Sequence, residues 1–363
     1  MLTQLEIFRI NLHQIPELGF EEFETKTYLY NQIKDLNCTV HEVGDTGLLL
    51  YFDFGQKKTL AFRADMDALP IEEKTNLHFQ SKNIGNMHAC GHDGHMAILL
   101  GLAHYLHAQE SLTKNVVLIF QPSEEKEAGA HTIVDSKLLE HYQVQSIFGL
   151  HLWPGLAKGE VYSRQGEFMA QGSEVDVIVH GRAAHVASSE QGVDALQIAC
   201  RLLTDLYDEE KKLPSDVYRL LKFGEMHSGF VRNILSDKTI VRGSVRSFDP
   251  MIHQKLKALI AETALRYETD YTCQIDVHYN DGYDVVYNHP KLFQQVIKTI
   301  PYLHQLEKPV MQSEDFGLYG KTIPAVFFFL GIGDTPPLHN EKFDFDMSVL
   351  DKGLQLFLDL LTL

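Results

Sequence analysis

Eight residues, His88-Ala89-Cys90-Gly91-His92-Asp93-Gly94-His95, hold one thiol and three imidazoles. Few structural demands call for that density of soft donor side chains. The clustering counts against the plainer alternative of a buried cysteine flanked by surface histidines. Glycines at 91 and 94 permit a turn tight enough for several side chains to reach one point. A thiolate beside a neutral imidazole suits zinc or a comparable first-row divalent metal. Cys90 and His92 are the candidate ligands. His88 and His95 read as supporting donors or first-turn helix residues, and Asp93 as a group that could orient an imidazole.

Further donors lie downstream. Glu124 and Glu125 follow the apolar run Val116-Val117-Leu118-Ile119-Phe120 and a proline turn, an unusual place for a mere surface charge run, although Lys126 and Glu127 extend the charge. Neighbouring glutamates can divide labour, one binding a metal and the other taking a proton from water. His151 closes Ile147-Phe148-Gly149-Leu150, and His339 lies in Pro336-Pro337-Leu338-His339-Asn340. Each alone reads as a satisfied core histidine or a loop residue. Together with Cys90 and His92 they complete a donor set large enough for two metals sharing a bridge.

These groups need elements to position them. Apolar spacing predicts helices over Met1–Leu12, Glu22–Leu36 and Met96–Gln109, and strands over Gly47–Phe52, Thr59–Ala64, Asn115–Phe120 and Ser146–Leu150. Strands alternating with helices imply an α/β domain with a central, mostly parallel sheet flanked by helices. Asp65 and Asp67, Glu124 and Glu125, and His151 each fall at the C-terminal end of a strand-like run, the edge at which open α/β sheets bind ligands.

From about Gln171 the texture changes. Strands over Ser173–His180, Tyr218–Met226, Thr239–Arg246 and Thr272–Tyr279 alternate with helices over Gln191–Asp208 and Pro250–Tyr267. That βαββαβ order describes a small inserted α+β domain. The α/β texture returns with a helix over Pro290–Ile300, a strand over Ala325–Leu330 and a closing helix over Ser348–Leu361. The expected division is therefore a discontinuous catalytic domain, 1–170 and 284–363, interrupted by a lid or dimerisation domain, 171–283.

Composition narrows the partners. A net charge of −17 over 363 residues argues against nucleic acid or an anionic membrane, since both need a basic face. It leaves room for an anionic small substrate, because one local arginine overrides a diffuse, screened field. The apolar run Ala325–Gly331 is too short to span a bilayer. The four scattered cysteines form no CxxC pair, and the first residues carry no apolar leader core, so the expected setting is the reducing cytoplasm. Gly320-Lys321-Thr322 lacks the upstream glycine of a phosphate loop, and no H-E-x-x-H, G-x-S-x-G or dinucleotide fingerprint occurs.

With these residues in hand, the chain resembles the M20 metallopeptidases. The resemblance rests on Met87-His88-Ala89-Cys90-Gly91-His92-Asp93, Phe120-Gln121-Pro122-Ser123-Glu124-Glu125 and Gly149-Leu150-His151-Leu152-Trp153-Pro154-Gly155. It extends through Leu12 to Phe20, Arg63 to Pro70, Gly243 to Arg246, Ser313 to Phe316 and Leu338-His339, in order along nearly the whole chain. The cysteine at 90 is similar to that of the amidohydrolase branch, which includes hippurate hydrolases, aminoacylases, auxin-conjugate hydrolases and N-acetyldiaminopimelate deacetylases.

The resemblance implies metal ligation by Cys90, His92, Glu125, His151 and His339, with Glu124 as general base and Asp67 among the catalytic residues. It implies two divalent ions, with zinc, manganese, cobalt and nickel all compatible with such donors. A lid histidine, often from the other subunit of a dimer in relatives, would stabilise the oxyanion; here it matches His185. Arg246 would hold a substrate carboxylate through paired hydrogen bonds, and Asn233 would lend a polar contact. The expected activity is removal of an N-acyl group from an amino acid by a homodimer joined through the lid. Within the branch, chain length and the crossing from Tyr279 to Asn288 are most similar to the N-acetyldiaminopimelate deacetylases of lysine synthesis. A broad aminoacylase or hippurate hydrolase, a dipeptidase or carboxypeptidase on the same scaffold, and a non-catalytic metal-binding protein are the competing readings. The chain departs from the branch at Lys126-Glu127-Ala128-Gly129-Ala130 and at Ala183, Ala184 and Val186, where relatives are richer in glycine. These changes bear on specificity more than on chemistry.

Overall fold

The computed structural model describes residues 2–363, apart from the side chain of Glu127. The chain folds into two compact units. The first comprises Met1–Phe168, Val286–Pro309 and Asp315–Leu363; the second comprises Met169–Val285 and Val310–Glu314. The short segment 310–314 has no distinguishing pattern in the sequence. It joins the second unit through backbone pairing, with Ala170 N donating to Gln312 O and Met169 bridging Val310.

The first unit is built on an eight-stranded mixed sheet. Its centre is a parallel run of Asn115–Gln121, Thr59–Asp65, Val144–Trp153 and Ala325–Gly331, flanked by antiparallel neighbours. Thr59–Asp65, Asn115–Gln121 and Ala325–Gly331 are buried at every position, which accounts for their unbroken apolar character. Register sets the polar edge: Asp65 lies opposite Gln121, Arg63 opposite Gly149, and His151 two residues beyond Gly149. Short strands are not legible in the sequence, being too brief to show alternation: the sheet's edges Thr39–Val43 and His304–Gln305, the interior Val161–Ser163, and Gly166–Met169 with Val286–Asn288, which form a separate two-stranded sheet.

The helix expected to start at Met96 begins at His92 and runs to His107. Apolar periodicity could not reveal its first turn, because His92, Asp93 and His95 there are polar yet buried. Its body packs into the core through Met96, Ile98, Leu99, Leu102 and Leu106. At the other end of the chain, Thr3 and Glu6 form a reciprocal capping box that starts the first helix at Gln4, so the expected start at Met1 lies outside the described residues.

The second unit has the predicted βαββαβ order. Its antiparallel sheet runs Gln274–Tyr283, Gln171–His180, Lys238–Ser247 and Arg219–Ser228. Val175, Val177 and Val179 face its core with period two, against Ile198, Leu202 and Leu206 of one helix and Leu256 and Ile260 of the other. The first helix starts where the Asp194 side chain accepts from Leu196 N and Gln197 N, and the second where Asp249 caps ahead of Pro250. Among the described residues, no helix is long and apolar enough to cross a membrane.

Asp194→Ala removes an acceptor serving two otherwise unpaired N–H groups. It is expected to lower stability by about 1 kcal/mol in denaturant unfolding; an unchanged midpoint would show that the cap contributes nothing.

Candidate metal centre

Strand ends and turns bring the sequence candidates of the first unit together. Gly91, with φ of +87°, turns the chain from Cys90 into the helix that opens with His92. A β-carbon there would also meet Leu152 Cδ1 at 3.2 Å, so glycine suits both the conformation and the space. The Cys90 thiol lies 3.3 Å from His151 Nε2. Cys90, His92 and His151 form one group of donors whose atoms all lie within 4.8 Å of one another, and Cys90, Glu125 and His339 form a second. Cys90 is common to both.

Backbone acceptors orient two of the imidazoles. His92 Nδ1 donates to the carbonyl of Asp67 at 2.8 Å, and His151 Nδ1 donates to the carbonyl of Leu152 at 2.7 Å. Each ring therefore turns its Nε2 toward the cluster, where that of His92 has no partner and that of His151 accepts from the Cys90 thiol. His92 Nε2 is buried without a hydrogen bond, and Glu125 Oε1 is buried with no well-aligned one, its near neighbour being His339. A buried acceptor left bare is costly unless something absent from the protein occupies it. Glu125 Oε1 is 3.1 Å from His339 Nε2 and 3.9 Å from His92 Nε2. His339 is reached from the chain's far end through a left-handed backbone (φ +63°), with its N–H donating to the Ala89 carbonyl. Its side chain is 50% exposed, unlike the buried His92 and His151.

The electrostatics point the same way. Burial pushes the Cys90 thiol well above its ordinary range, and Glu125 and Glu124 reinforce this, so the thiol needs a cation to ionise. At His92 burial opposes the charged form, but Asp65, Asp67 and Glu125 outweigh it and push the imidazole up to about 10. Burial, then His95, holds His151 well below the ordinary histidine range. A negative field that draws a proton to His92 is one that divalent cations would offset. The bare Nε2, the thiol and the carboxylates thus fit a divalent metal pair.

The remaining residues of the cluster play other parts. Asp65, His92 and His95 also place donors within 4.8 Å of one another, yet both nitrogens of His95 are engaged. His95 Nδ1 donates to Asp65 Oδ1 at 2.6 Å, and Nε2 accepts from Leu152 N at 2.9 Å. Having no free lone pair, His95 serves as a brace behind His151. His88, expected as a supporting donor, is buried with neither ring nitrogen hydrogen-bonded. Asp93 accepts from His13 Nδ1 at 2.8 Å and Arg9 Nε at 3.1 Å, so the imidazole that it orients is His13 rather than a candidate ligand.

Glu124 and Glu125 stand on a short helical turn, Glu124–Glu127, bracketed by left-handed Ser123 (φ +52°, ψ +52°) and Ala128 (φ +50°, ψ +60°). Each such conformation costs a non-glycine residue about 1–2 kcal/mol. Glu124 is buried, and its carboxylate groups with His92 and Glu125 within 4.8 Å. Asp67 Oδ2 accepts from Glu125 N at 2.9 Å, while Asp67 Oδ1 lies 3.3 Å from His92 Nδ1, so one aspartate touches both segments.

The other candidates lie in the second unit. His185 is exposed and its Nδ1 accepts from Ala187 N, which leaves the ring proton on Nε2. A β-bridge joins His185 to Ile234, and Val186 N donates to the carbonyl of exposed Asn233. Arg246 is half-buried, giving Nη1 to Met311 O at 2.8 Å and Nε to Ser244 Oγ at 3.4 Å. No carboxylate within 4.0 Å pairs with it among the described residues.

Sequence reasoning missed Arg63 and Glu22. Arg63 is fully buried and donates to Gln121, Asp65 and Asp315. The signal available was an arginine inside the otherwise apolar run Thr59–Ala64, which requires a buried partner. Glu22 is buried beside Ser123, and nothing local to its sequence reveals this.

A mostly parallel sheet carrying a cysteine, histidine and carboxylate donor set at its C-terminal edge defines a metal-dependent hydrolase. A family model described as Peptidase family M20/M25/M40 matches residues 61–363. The chain belongs to that family. It is 33% identical to an N-acetyldiaminopimelate deacetylase of Oceanobacillus iheyensis over 100% of both chains. It is 34% identical to one of Lactococcus lactis subsp. cremoris, over 98% of this chain and 96% of that one. Among solved structures, the Bacillus subtilis YXEP protein, described as a dinuclear metal-binding peptidase of the M20 family, superposes with a TM-score of 0.83. It is 28% identical, with 99% of this chain and 96% of that chain covered.

Because Cys90 belongs to both donor groups, Cys90→Ala is expected to deplete both metal equivalents, whereas His339→Ala depletes one. Elemental analysis after exhaustive dialysis checks this; equal losses in the two variants would refute a shared thiol.

Proposed function

We propose that the protein is a dimetal amidohydrolase that removes the acetyl group from N-acetyldiaminopimelate in lysine synthesis. The observation that carries the chemistry is the thiol of Cys90, common to two donor groups, with Glu124 beside them. The relatives named above support the choice of substrate.

Cys90, His92, Glu125, His151 and His339 would hold the two ions, drawn from zinc, manganese, cobalt and nickel according to availability. Divalent ions held there supply Lewis acidity, polarising an amide carbonyl and acidifying water. Glu124 accepts the proton from the attacking water and returns it to the departing amine nitrogen, so acetate and a free amino acid leave. Asp67 keeps His92 and the Glu125 backbone in place. His185, with its proton on Nε2, is suited to donate to the tetrahedral oxyanion. Arg246, a cation that no carboxylate pairs with among the described residues, is suited to the α-carboxylate of the substrate, and Asn233 to a further polar contact.

The second unit is the lid in this reading and joins two copies into a homodimer, with His185 acting across the subunits. Its edge strand Arg219–Ser228 has one unpaired side. The nearby apolar residues Met226, Phe230, Val231 and Ile234 are exposed, Phe230 by 97%. The four cysteines are all unpaired, which suits a reducing cytoplasm.

Glu124→Gln keeps the size of the side chain but cannot accept a proton. It is expected to retain metal while hydrolysis falls about 10²- to 10⁴-fold; persistent activity would remove Glu124 from the base role. The substrate is tested by comparing N-acetyl-LL-diaminopimelate with N-acetylmethionine, hippurate and a panel of dipeptides. We expect the first to have the highest kcat/KM, and equal or faster turnover of any other would overturn the assignment.

A further inference from the structure

The strained turn that presents Glu124 is held from a distant part of the chain. Ser123 N donates to Glu22 Oε1 at 2.8 Å, and Thr46 Oγ1 donates to Glu22 Oε2 at 2.7 Å. On its other side, Ser123 O accepts from Gly129 N at 2.8 Å. Glu22, Thr46 and Ser123 are all buried. Gly19 leaves room for this contact, since a β-carbon there would lie 2.5 Å from Ser123 Oγ and 3.1 Å from Ser123 Cα. Gly129 crowds the same peptide, its β-carbon position lying 1.9 Å from Pro122 O. Ser123 Oγ itself is buried without a hydrogen bond, so the serine side chain does not explain the left-handed conformation. The backbone N–H, fixed by Glu22, does.

We propose that Glu22 is a positioning residue for the general base: its carboxylate holds Ser123 left-handed and so aims Glu124 at the metal centre. The inference rests on Glu124 being the base. The route is short, since residue 123 sets the direction from which the next residue leaves the turn, and Asp67 independently anchors the residue after that. The segment carrying Glu22 and Gly19, otherwise unused by the chemistry, thereby gains a function. Length rather than charge is the requirement. Burial, opposed by the Thr46 bond, pushes Glu22 up to about 7, so the neutral side chain is close in energy to the charged one.

This predicts an inverted order of variants. In Glu22→Gln the amide oxygen accepts from Ser123 N and the amide nitrogen donates to the Thr46 hydroxyl, which can also accept. Glu22→Asp keeps the charge but lacks a methylene and cannot span both partners. With N-acetyl-LL-diaminopimelate, or with N-acetylmethionine if that is hydrolysed faster, Glu22→Gln should keep kcat within about 3-fold. Glu22→Asp should lose about 10- to 100-fold in kcat with KM moving less than about 2-fold. Metal content and thermal midpoint are measured on each variant. Adding Ser123→Gly to Glu22→Asp should restore part of the lost kcat, because glycine reaches the left-handed conformation unaided. The inference is overturned if Glu22→Asp matches or exceeds Glu22→Gln, if both lose kcat alike, or if the loss merely follows lost metal or lost folded protein. Glu124→Gln run in parallel separates the two readings. Full activity there sinks the base assignment, whereas an inactive Glu124→Gln beside a fully active Glu22→Asp sinks only the role of Glu22.

Discussion

The first unit depends on one buried arginine. Arg63 sits inside a fully buried strand and donates to Asp65 at 2.7 Å, Gln121 at 2.9 Å and Asp315 at 2.8 Å. Each acceptor passes the constraint onward. Asp65 holds His95, which holds the backbone just after His151. Gln121 ends the strand that leads into the Glu124 turn, and Asp315 accepts from Ala130 N at the start of the helix that follows it. A buried charge must be paired to be tolerated, and breaking such a pair by removing one partner typically costs about 3–5 kcal/mol. The network is therefore a rigid floor: its members cannot move apart without leaving a bare charge in the core.

Beside that floor, some donor atoms have no partner within the protein. His92 Nε2 lacks a hydrogen bond, and Cys90 is held as a thiol by burial and by neighbouring carboxylates. These are the features that an ordinary core eliminates. His92 and His151 are each held by a backbone carbonyl behind the ring while Nε2 faces the cluster, the arrangement of a preorganised ligand. The same contrast separates the two donor groups. His92 and His151 are enclosed, whereas His339 arrives on a strained and exposed loop.

The resemblance to the M20 family named the donors, and the structure brings Cys90, His92, Glu125, His151 and His339 to one place. Periodicity also revealed the parallel centre of the sheet and the βαββαβ insertion, because fully buried strands read as unbroken apolar runs and half-buried ones alternate. It failed at the first turn of the helix from His92, where buried polar residues imitate a loop, and at strands of only two to five residues. His88 and Asp93 share the motif with Cys90 but not its surroundings, and spacing cannot distinguish a ring aimed at the cluster from one aimed at the core.

The sequence by itself determined the kinds of donor, their order along the chain and the class of fold, since side-chain chemistry and apolar period are local properties. Tertiary structure decided that Nε2 of His92 and of His151 faces the cluster, that both nitrogens of His95 are engaged, and that Asp93 serves His13. It also decided that Glu22, 101 residues before Ser123, fastens the peptide ahead of Glu124. Those outcomes depend on hydrogen bonds between segments remote in the chain, and such bonds exist only once the core has packed and excluded the water that would otherwise compete for them.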